Sequence, residues 1–262
     1  MEVKAEVAII LLTYNQEKFL EASVESVLNQ KFEHSFKLYI FDDYSSDNSF
    51  TIALKFEEKF PEKVVSIRNE RNLGLARNFE KAILQTKEKY IAYIEGDDYW
   101  TDDFKLQRQF EFLNSNPSFV LAFHDYVTID KDDKIISDIN LYEKSLQRNR
   151  SKREMVTGCL IHQNTMMFRN VIRTFPKGFF LAKNHDTFFI AYLSNWGVAG
   201  YVNCKPLHYR IHKESLWSSL SGRQKHWNGL ITYFMILFYV QPIYYASVMR
   251  KIGSKMKSIL IT

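Results

Sequence analysis

The chain has 262 residues, 46% of them hydrophobic, which suffices for one large domain with its own buried core. Its formal charge of +5 is dispersed among 30 acidic residues rather than gathered in a basic block, which argues against a nucleic-acid partner. Cys159 and Cys204 stand alone, so neither a disulfide framework nor a CxxC metal site is available, and Met1-Glu2-Val3-Lys4 lacks a signal-peptide layout; a cytoplasmic protein is expected.

From Val7 to His124 short apolar runs alternate with segments of helical period. Val7 to Leu12, Lys37 to Phe41, Val64 to Ile67, Tyr90 to Ile94 and Phe119 to Phe123 read as buried strands. Between them Leu20, Val24, Val27 and Leu28, then Ile52, Ala53, Phe56 and Phe60, then Leu75, Phe79, Ala82 and Ile83 fall at helix spacing. Asn15 and Asp47 are candidate N-caps for the first two helices. Short connections between alternating β and α elements imply an α/β fold: a Rossmann-like, mainly parallel sheet flanked by helices, with its ligand crevice at the strands' C-terminal ends.

The rhythm breaks near Asp125. Asp130-Lys131-Asp132-Asp133 reads as a hairpin turn, Tyr142 to Glu154 as a polar surface loop, and shorter elements are expected around Met166 to Phe168, Asp186 to Leu193 and Val198 to Val202. Gly229 to Val248 is apolar and aromatic, is interrupted by Gln241-Pro242, and precedes Arg250, Lys251, Lys255 and Lys257. The interruption argues against a membrane-crossing helix and leaves two readings, packing on the protein or a partner, and peripheral contact with a membrane surface. The expected organisation is a domain over residues 1–215, divided at 124 into a nucleotide-binding and an acceptor half, followed by a helical C-terminal appendage over 216–262.

Polar residues cluster at the strand ends: Thr13-Tyr14-Asn15 after the first strand, Asp42-Asp43 after the second, Arg68-Asn69 with Asn72 and Arg77 after the third, and Glu95-Gly96-Asp97-Asp98 after the fourth. An aspartate at one strand end most often caps a turn, and Arg77 beside Glu80 has an ion pair as its plain alternative. Four such tips in order describe one crevice with an aromatic ring for a base, carboxylates for hydroxyls and N–H groups, and an arginine for phosphate. Adjacent carboxylates at a strand tip also call for a hard cation, Mg²⁺ or Mn²⁺. No GxGxxG or GxxxxGK[ST] sequence occurs, so neither a dinucleotide site nor a P-loop is supported.

With these segments, and with Ser26-Val27-Leu28-Asn29-Gln30, Phe41 to Asp47, Asn72-Leu73-Gly74, Ala76-Arg77-Asn78 and Glu95 to Trp100, the chain resembles the family 2 glycosyltransferases of the GT-A fold. The resemblance is continuous over roughly the first hundred residues. It implies an inverting, metal-dependent enzyme that takes a nucleotide-diphosphate sugar, usually a UDP-sugar, to a glycan or lipid-linked acceptor, at the inner face of the membrane where the acceptor is lipid-linked. By motif position Tyr14, with Thr13 and Asn15, lies at the base, Asp43 accepts a base N–H, Asn72 and Arg77 support the donor, Asp97 reaches the ribose and Asp98 binds the metal. Later, Asn184-His185-Asp186 resembles the family's acidic motif, with Asp186 as the base and His185 as runner-up, and Tyr209-Arg210-Ile211-His212 resembles a motif in which His212 completes the metal shell and Arg210 assists the diphosphate. Glu95 stands where the family usually has the first Asp of the metal motif, so it is not assigned as a ligand, and Tyr44 stands where a Gly usually follows the paired aspartates. His124 and His162 read as structural. A nucleotidyltransferase is disfavoured because Thr13 to Glu17 is not a Gly-rich, Arg-containing loop, and a catalytically silent nucleotide-sugar-binding subunit remains the competing class.

Overall fold

The structure, a computed structural model, describes residues 5–138, 145–211 and 220–261. Strands β1 (Val7–Thr13), β2 (Phe36–Asp42), β3 (Val64–Arg68), β4 (Tyr90–Glu95), β5 (Phe119–Phe123), β8 (Met167–Arg169) and β9 (Val198–Tyr201) form one sheet in the order β3-β2-β1-β4-β8-β5-β9. Its pairings are parallel except that β8 runs antiparallel between β4 and β5. A second sheet joins β6 (Tyr126–Ile129) to β10 (Leu207–Arg210) in parallel and to β7 (Ile135–Ser137) antiparallel.

The apolar runs become strands because both faces of the main sheet are covered. Along β1, Val7, Ile9 and Leu11 enter one core while Ile10 and Leu12 enter the other, the two-residue period of a strand carried through an unbroken hydrophobic sequence. Helices α1 (Leu20–Leu28), α2 (Ser49–Lys59) and α4 (Lys105–Ser115) close the first face through Leu20, Val24, Ala53, Phe56, Phe110 and Leu113. Helices α3 (Leu75–Gln85), α5 (Lys152–Thr157), α6 (Lys177–Leu181), α7 (His185–Leu193), α8 (Gly222–Leu237) and α9 (Tyr245–Ile261) close the second.

Several sequence expectations are corrected. Asn15 caps no helix: it sits at φ 53°, five residues before α1, and its Oδ1 accepts the Ser46 N–H at 2.8 Å. Asp47 lies one residue outside the α2 N-cap position; its two carboxylate oxygens accept the amides of Ser49 and Glu17, both at 2.9 Å, tying the β2–α2 loop to the β1–α1 loop. The expected loop from Tyr142 to Glu154 gives way at Ser151, where a reciprocal capping box with Glu154 starts α5; residues 139–144 lie outside the described residues. Helix α4 has no counterpart in the sequence reading. The expected C-terminal helices are present, and their Tyr233, Ile236, Val240, Val248 and Ile252 enter the same core as β4 and α7. The hairpin turn at Asp130 to Asp133 is present, closed by the Asp130 N–H to Lys134 carbonyl bond at 2.9 Å, and the break at Pro242 separates α8 from α9.

Phe79 of α3 ties the second face together. Its ring meets Tyr93 of β4 at 5.2 Å, Phe189 of α7 at 5.0 Å, and Phe175 and Phe179 at 6.0 Å, mostly edge-on. Phe79→Ala is expected to lower unfolding free energy by about 3–5 kcal/mol, read from urea denaturation.

Candidate active site

Parallel register sets the strand ends side by side: Thr13 pairs with Asp42, Asp42 with Arg68, and Leu12 with Glu95. The loops that follow are laced to one another. Asn15 N–H donates to Ser45 Oγ at 3.0 Å, Gln16 N–H to Ser49 Oγ at 2.9 Å, and Glu17 accepts from Asn48 through both its backbone and side-chain N–H groups. Tyr14 is left 48% exposed at the rim, its ring open for stacking, whereas Thr13 is buried beside Gly96. A Cβ on Gly96 would stand 2.7 Å from Gln16 Oε1 and 3.0 Å from Thr13 Oγ1, so glycine permits the close approach of β4's end to the first loop.

Asp42 is structural: it is fully buried, accepts the Ser45 amide at 3.0 Å and faces Arg68 at 3.5 Å. Tyr44 holds φ 65°, the left-handed backbone that the family's glycine would adopt freely, with the Arg68 guanidinium 5.3 Å from its ring centre. Asp43 is 3% exposed and organises the next loop, accepting Asn69 Nδ2 at 2.7 Å, the Leu73 amide at 2.8 Å and the Gly74 amide at 2.9 Å. Asn72 Oδ1 shares the Gly74 amide at 3.0 Å. Arg77 pairs with Glu80 at 2.9 Å and lies 3.7 Å over the Phe180 ring, so the plain ion pair exists while the guanidinium still borders an open cleft of about 620 Å³ with Arg71, Asn72 and Lys81.

Three carboxylates meet at the end of β4. Glu95 accepts Tyr93 Oη at 3.0 Å and Gln163 Nε2 at 2.7 Å, and burial followed by repulsion from Asp97 pushes it up to about 7. Asp98 is 1% exposed; its oxygens accept the Arg210 amide at 2.8 Å and the Asn164 side-chain amide. Burial, then repulsion from Asp97 and Glu95, drives its carboxyl far above the ordinary range. Among the described residues no group of three His, Cys, Asp or Glu side chains is arranged to hold a metal, and His212 lies outside those residues. The chemistry of the cluster nonetheless fits a hard divalent cation: hard oxygen donors whose mutual repulsion is what such an ion relieves.

Arg210, assigned to the diphosphate from the sequence, is instead 3% exposed and acts as a strut. Its Nε donates to the Asp97 carbonyl at 3.0 Å, Nη1 to the Asp130 carbonyl at 2.9 Å and Nη2 to Asp133 at 2.7 Å, with the Phe19 ring 4.5 Å away. Gln163 and Asn164 are site residues that sequence reasoning missed; their only signal is the polar run His162 to Thr165 between apolar neighbours. His162 itself packs between Tyr126 and Tyr209, and burial pushes it down to about 4, which fits a neutral, structural ring.

Asp186 opens α7, partly buried, with Thr187 Oγ1 3.4 Å from its Oδ1, and burial raises its carboxyl. Burial lowers His185, which lies against Phe179 at 5.3 Å. Since Phe180 carries Arg77 and Phe179 carries His185, the short helix α6 places the Asn184–Asp186 segment on the same side of the sheet as the Arg77 cleft.

Comparison with known proteins adds three findings. A family model described as Glycosyl transferase family 2 matches residues 8–175. An uncharacterised protein of Mycobacterium tuberculosis is 26% identical over 231 residues, covering 84% of this chain, and the chain spans 63% of that relative's length. Among solved structures, Staphylococcus aureus TarS 1–349 in complex with UDP superposes with TM-score 0.67 at 16% identity over 98% of this chain and 72% of TarS. The Pyrobaculum calidifontis mannosyltransferase PcManGT in complex with GDP-Man and Mn²⁺ does so with TM-score 0.69 at 12% identity over 98% of this chain and 75% of its own, and at these identities both matches speak to the fold alone.

Asp43→Asn would turn an amide N–H toward groups that are themselves donors. It is expected to destabilise the protein by about 1–3 kcal/mol and to speed hydrogen exchange at the Leu73 and Gly74 amides before that of the core strands.

Proposed function

The chain belongs to glycosyl transferase family 2 and is a glycosyltransferase of GT-A fold, and from this we propose an inverting, metal-dependent enzyme that moves one sugar from a UDP-sugar to a hydroxyl of a polysaccharide or lipid-linked oligosaccharide. The observation that carries the proposal is the gathering of Glu95, Asp97 and Asp98 at the end of β4, with an exposed Tyr14 after the neighbouring β1 and a cleft bordered by Asn72 and Arg77 after β3. The UDP bound to TarS and the GDP-Man and Mn²⁺ bound to PcManGT support the donor class and the cation. The reaction's place, on this reading, is the cytoplasm at the inner face of the membrane.

In the proposed reaction the base stacks on Tyr14 between the first two strand ends, with Thr13, Asn15 and Asp43 shaping that pocket, while Asn72 and Arg77 support the phosphates and Asp97 takes the ribose. Asp98, with Asp97 beside it, would hold Mg²⁺ or Mn²⁺, which supplies neutralisation of the charge growing on the departing diphosphate. The acceptor oxygen forms its bond to the anomeric carbon as the bond from that carbon to the phosphate oxygen breaks on the opposite face. The hydroxyl proton passes to the Asp186 carboxylate, whose burial makes it a stronger base than a solvated aspartate. Arg210 positions Asp97 and Asp98 through the backbone rather than touching the donor. By motif position His212 would be a further ligand of the same ion.

Thermal unfolding measured with UDP, GDP, dTDP and ADP, each with and without Mn²⁺, should show a metal-dependent rise for UDP, and Asp98→Asn should remove the metal-dependent part. No rise with any nucleotide would overturn the reading, and a rise without turnover on any acceptor would favour a silent binding subunit.

Because burial raises the Asp186 carboxyl and the base must be ionised, kcat/KM is expected to fall as pH drops through a value above the ordinary aspartate range. Asp186→Asn should lower turnover at least about a hundredfold with donor binding retained; an unchanged rate would remove Asp186 from the mechanism.

A further inference from the structure

The C-terminal helices bury one face on the core and leave another uncovered. In α9 the buried positions are Val248, Ile252 and Ile259, while Tyr245, Met249, Met256 and Leu260 are all exposed at spacings of four, seven and four residues, which align them in one stripe along the helix. Beside that stripe, on the side away from the core, come the exposed Arg250 and Lys257. Helix α8 repeats the arrangement: Gly229, Thr232, Tyr233 and Ile236 face inward, and Trp227, Phe234 and Phe238 are exposed seven and four residues apart, with the two phenyl rings edge-on at 5.3 Å. No Asp or Glu occurs from Ser215 to the last residue, whereas Arg223, Lys225, Arg250, Lys251, Lys255 and Lys257 all do. Among the described residues no helix is long and apolar enough to cross a membrane.

We propose that the hairpin of α8 and α9 is a docking surface for an anionic lipid bilayer, lying in the headgroup region with the Tyr245–Leu260 stripe inserted and Arg250 and Lys257 on the lipid phosphates. Charge complementarity selects this occupant. A second copy of the chain would bring a surface of the same sign against itself, with no acidic residue in the segment to answer it. A nucleic acid would meet the cations but gives no burial to aliphatic Met249, Met256 and Leu260. A bilayer interface satisfies both halves, since a basic amphipathic helix gains apolar burial and attraction to anionic headgroups together. The aromatic Trp227 and Tyr245, polar at one end and apolar at the other, suit the headgroup level. The inference is independent of the donor chemistry, although it would place the enzyme where a lipid-linked acceptor resides.

The test is flotation of the full chain with phosphatidylcholine vesicles with and without phosphatidylglycerol, read beside the UDP and Mn²⁺ thermal shift on the same samples. Binding at least about tenfold stronger to the phosphatidylglycerol vesicles, and weakened by added salt, is expected. Arg250→Glu with Lys257→Glu should reduce it about tenfold or more, and Met249→Asp with Leu260→Asp should do the same, with the nucleotide shift unchanged in both variants because none of these side chains lies in the binding cleft. Equal binding to neutral vesicles, binding that survives both double substitutions, or self-association that the same substitutions abolish would each overturn the proposal. Because vesicle binding is read without turnover, its failure leaves the transferase reading standing, and the reverse also holds.

Discussion

Repulsion among three carboxylates at the end of β4 is the constraint around which the rest of the site is arranged. Glu95 ends a strand that is buried on both faces, Asp97 and Asp98 follow within three residues, and the charge on Asp97 makes both Glu95 and Asp98 harder to ionise. A single salt bridge would not hold such a group. The protein supplies dispersed donors instead: the Tyr93 hydroxyl and Gln163 on Glu95, and Asn164 and the Arg210 backbone amide on Asp98. The donors on Glu95 and Asp98 are neutral groups, while the Arg210 guanidinium bonds the Asp97 and Asp130 carbonyls and the Asp133 carboxylate. The cluster gathers hard oxygen donors whose mutual repulsion a divalent cation would relieve, which is what a cation site needs before its ion arrives.

That arrangement explains why the second half of the chain is needed to finish a site begun by the first. The sheet ends of β1 to β4 are built within the first hundred residues, but the groups that orient the β4 carboxylates come from the turn at Gln163 to Thr165 and from β10. Strand β10 is delivered by an antiparallel bridge in which Tyr99 and His208 exchange backbone bonds at 3.3 and 3.1 Å, just beyond Asp98. Arg210 then clamps the Asp130–Asp133 turn onto the Asp97 carbonyl, so the hairpin after β6 is fastened directly to the end of β4. A buried arginine with fixed partners is well suited to this, since its planar fork satisfies several carbonyls and a carboxylate at once.

The elements that could be read from the sequence are those whose signal is periodic and local. β1 to β5 and α1 to α3 stand where their apolar runs lie, because an unbroken apolar strand in a two-sided sheet needs no alternation to be recognised. Helix α4 was hidden for the opposite reason. Lys105, Gln107 and Gln109 are polar yet buried on it, with the Lys105 ammonium 3.8 Å over the Trp100 ring and pushed by burial down to about 7. The caps failed because Asn15 and Asp47 satisfy amides across the neighbouring loop rather than at their own helix ends. Arg210 and Asn164 were illegible in their roles since both act across more than sixty residues of separation, which no local pattern encodes.

The proposed donor crevice is shaped by interactions within the protein itself. Asp43 fixes Leu73 and Gly74, Asn69 is shared between Asp43 and Asn78, and Lys81 closes the same network on Asn69 at 2.7 Å. Tyr44 tolerates a left-handed backbone where a glycine would be at ease, and the Arg68 guanidinium against its ring and on the Ser45 carbonyl at 2.7 Å holds it there. The loops after β1, β2 and β3 are thus bonded to one another more than to solvent. A nucleotide entering them would meet a surface already shaped, losing less conformational freedom on binding than loops ordered only by the ligand would. Local strain at Tyr44 and electrostatic strain at Asp98 are then two aspects of one design, in which the rigid sheet and its crossed loops keep the binding groups in positions they would not choose in isolation.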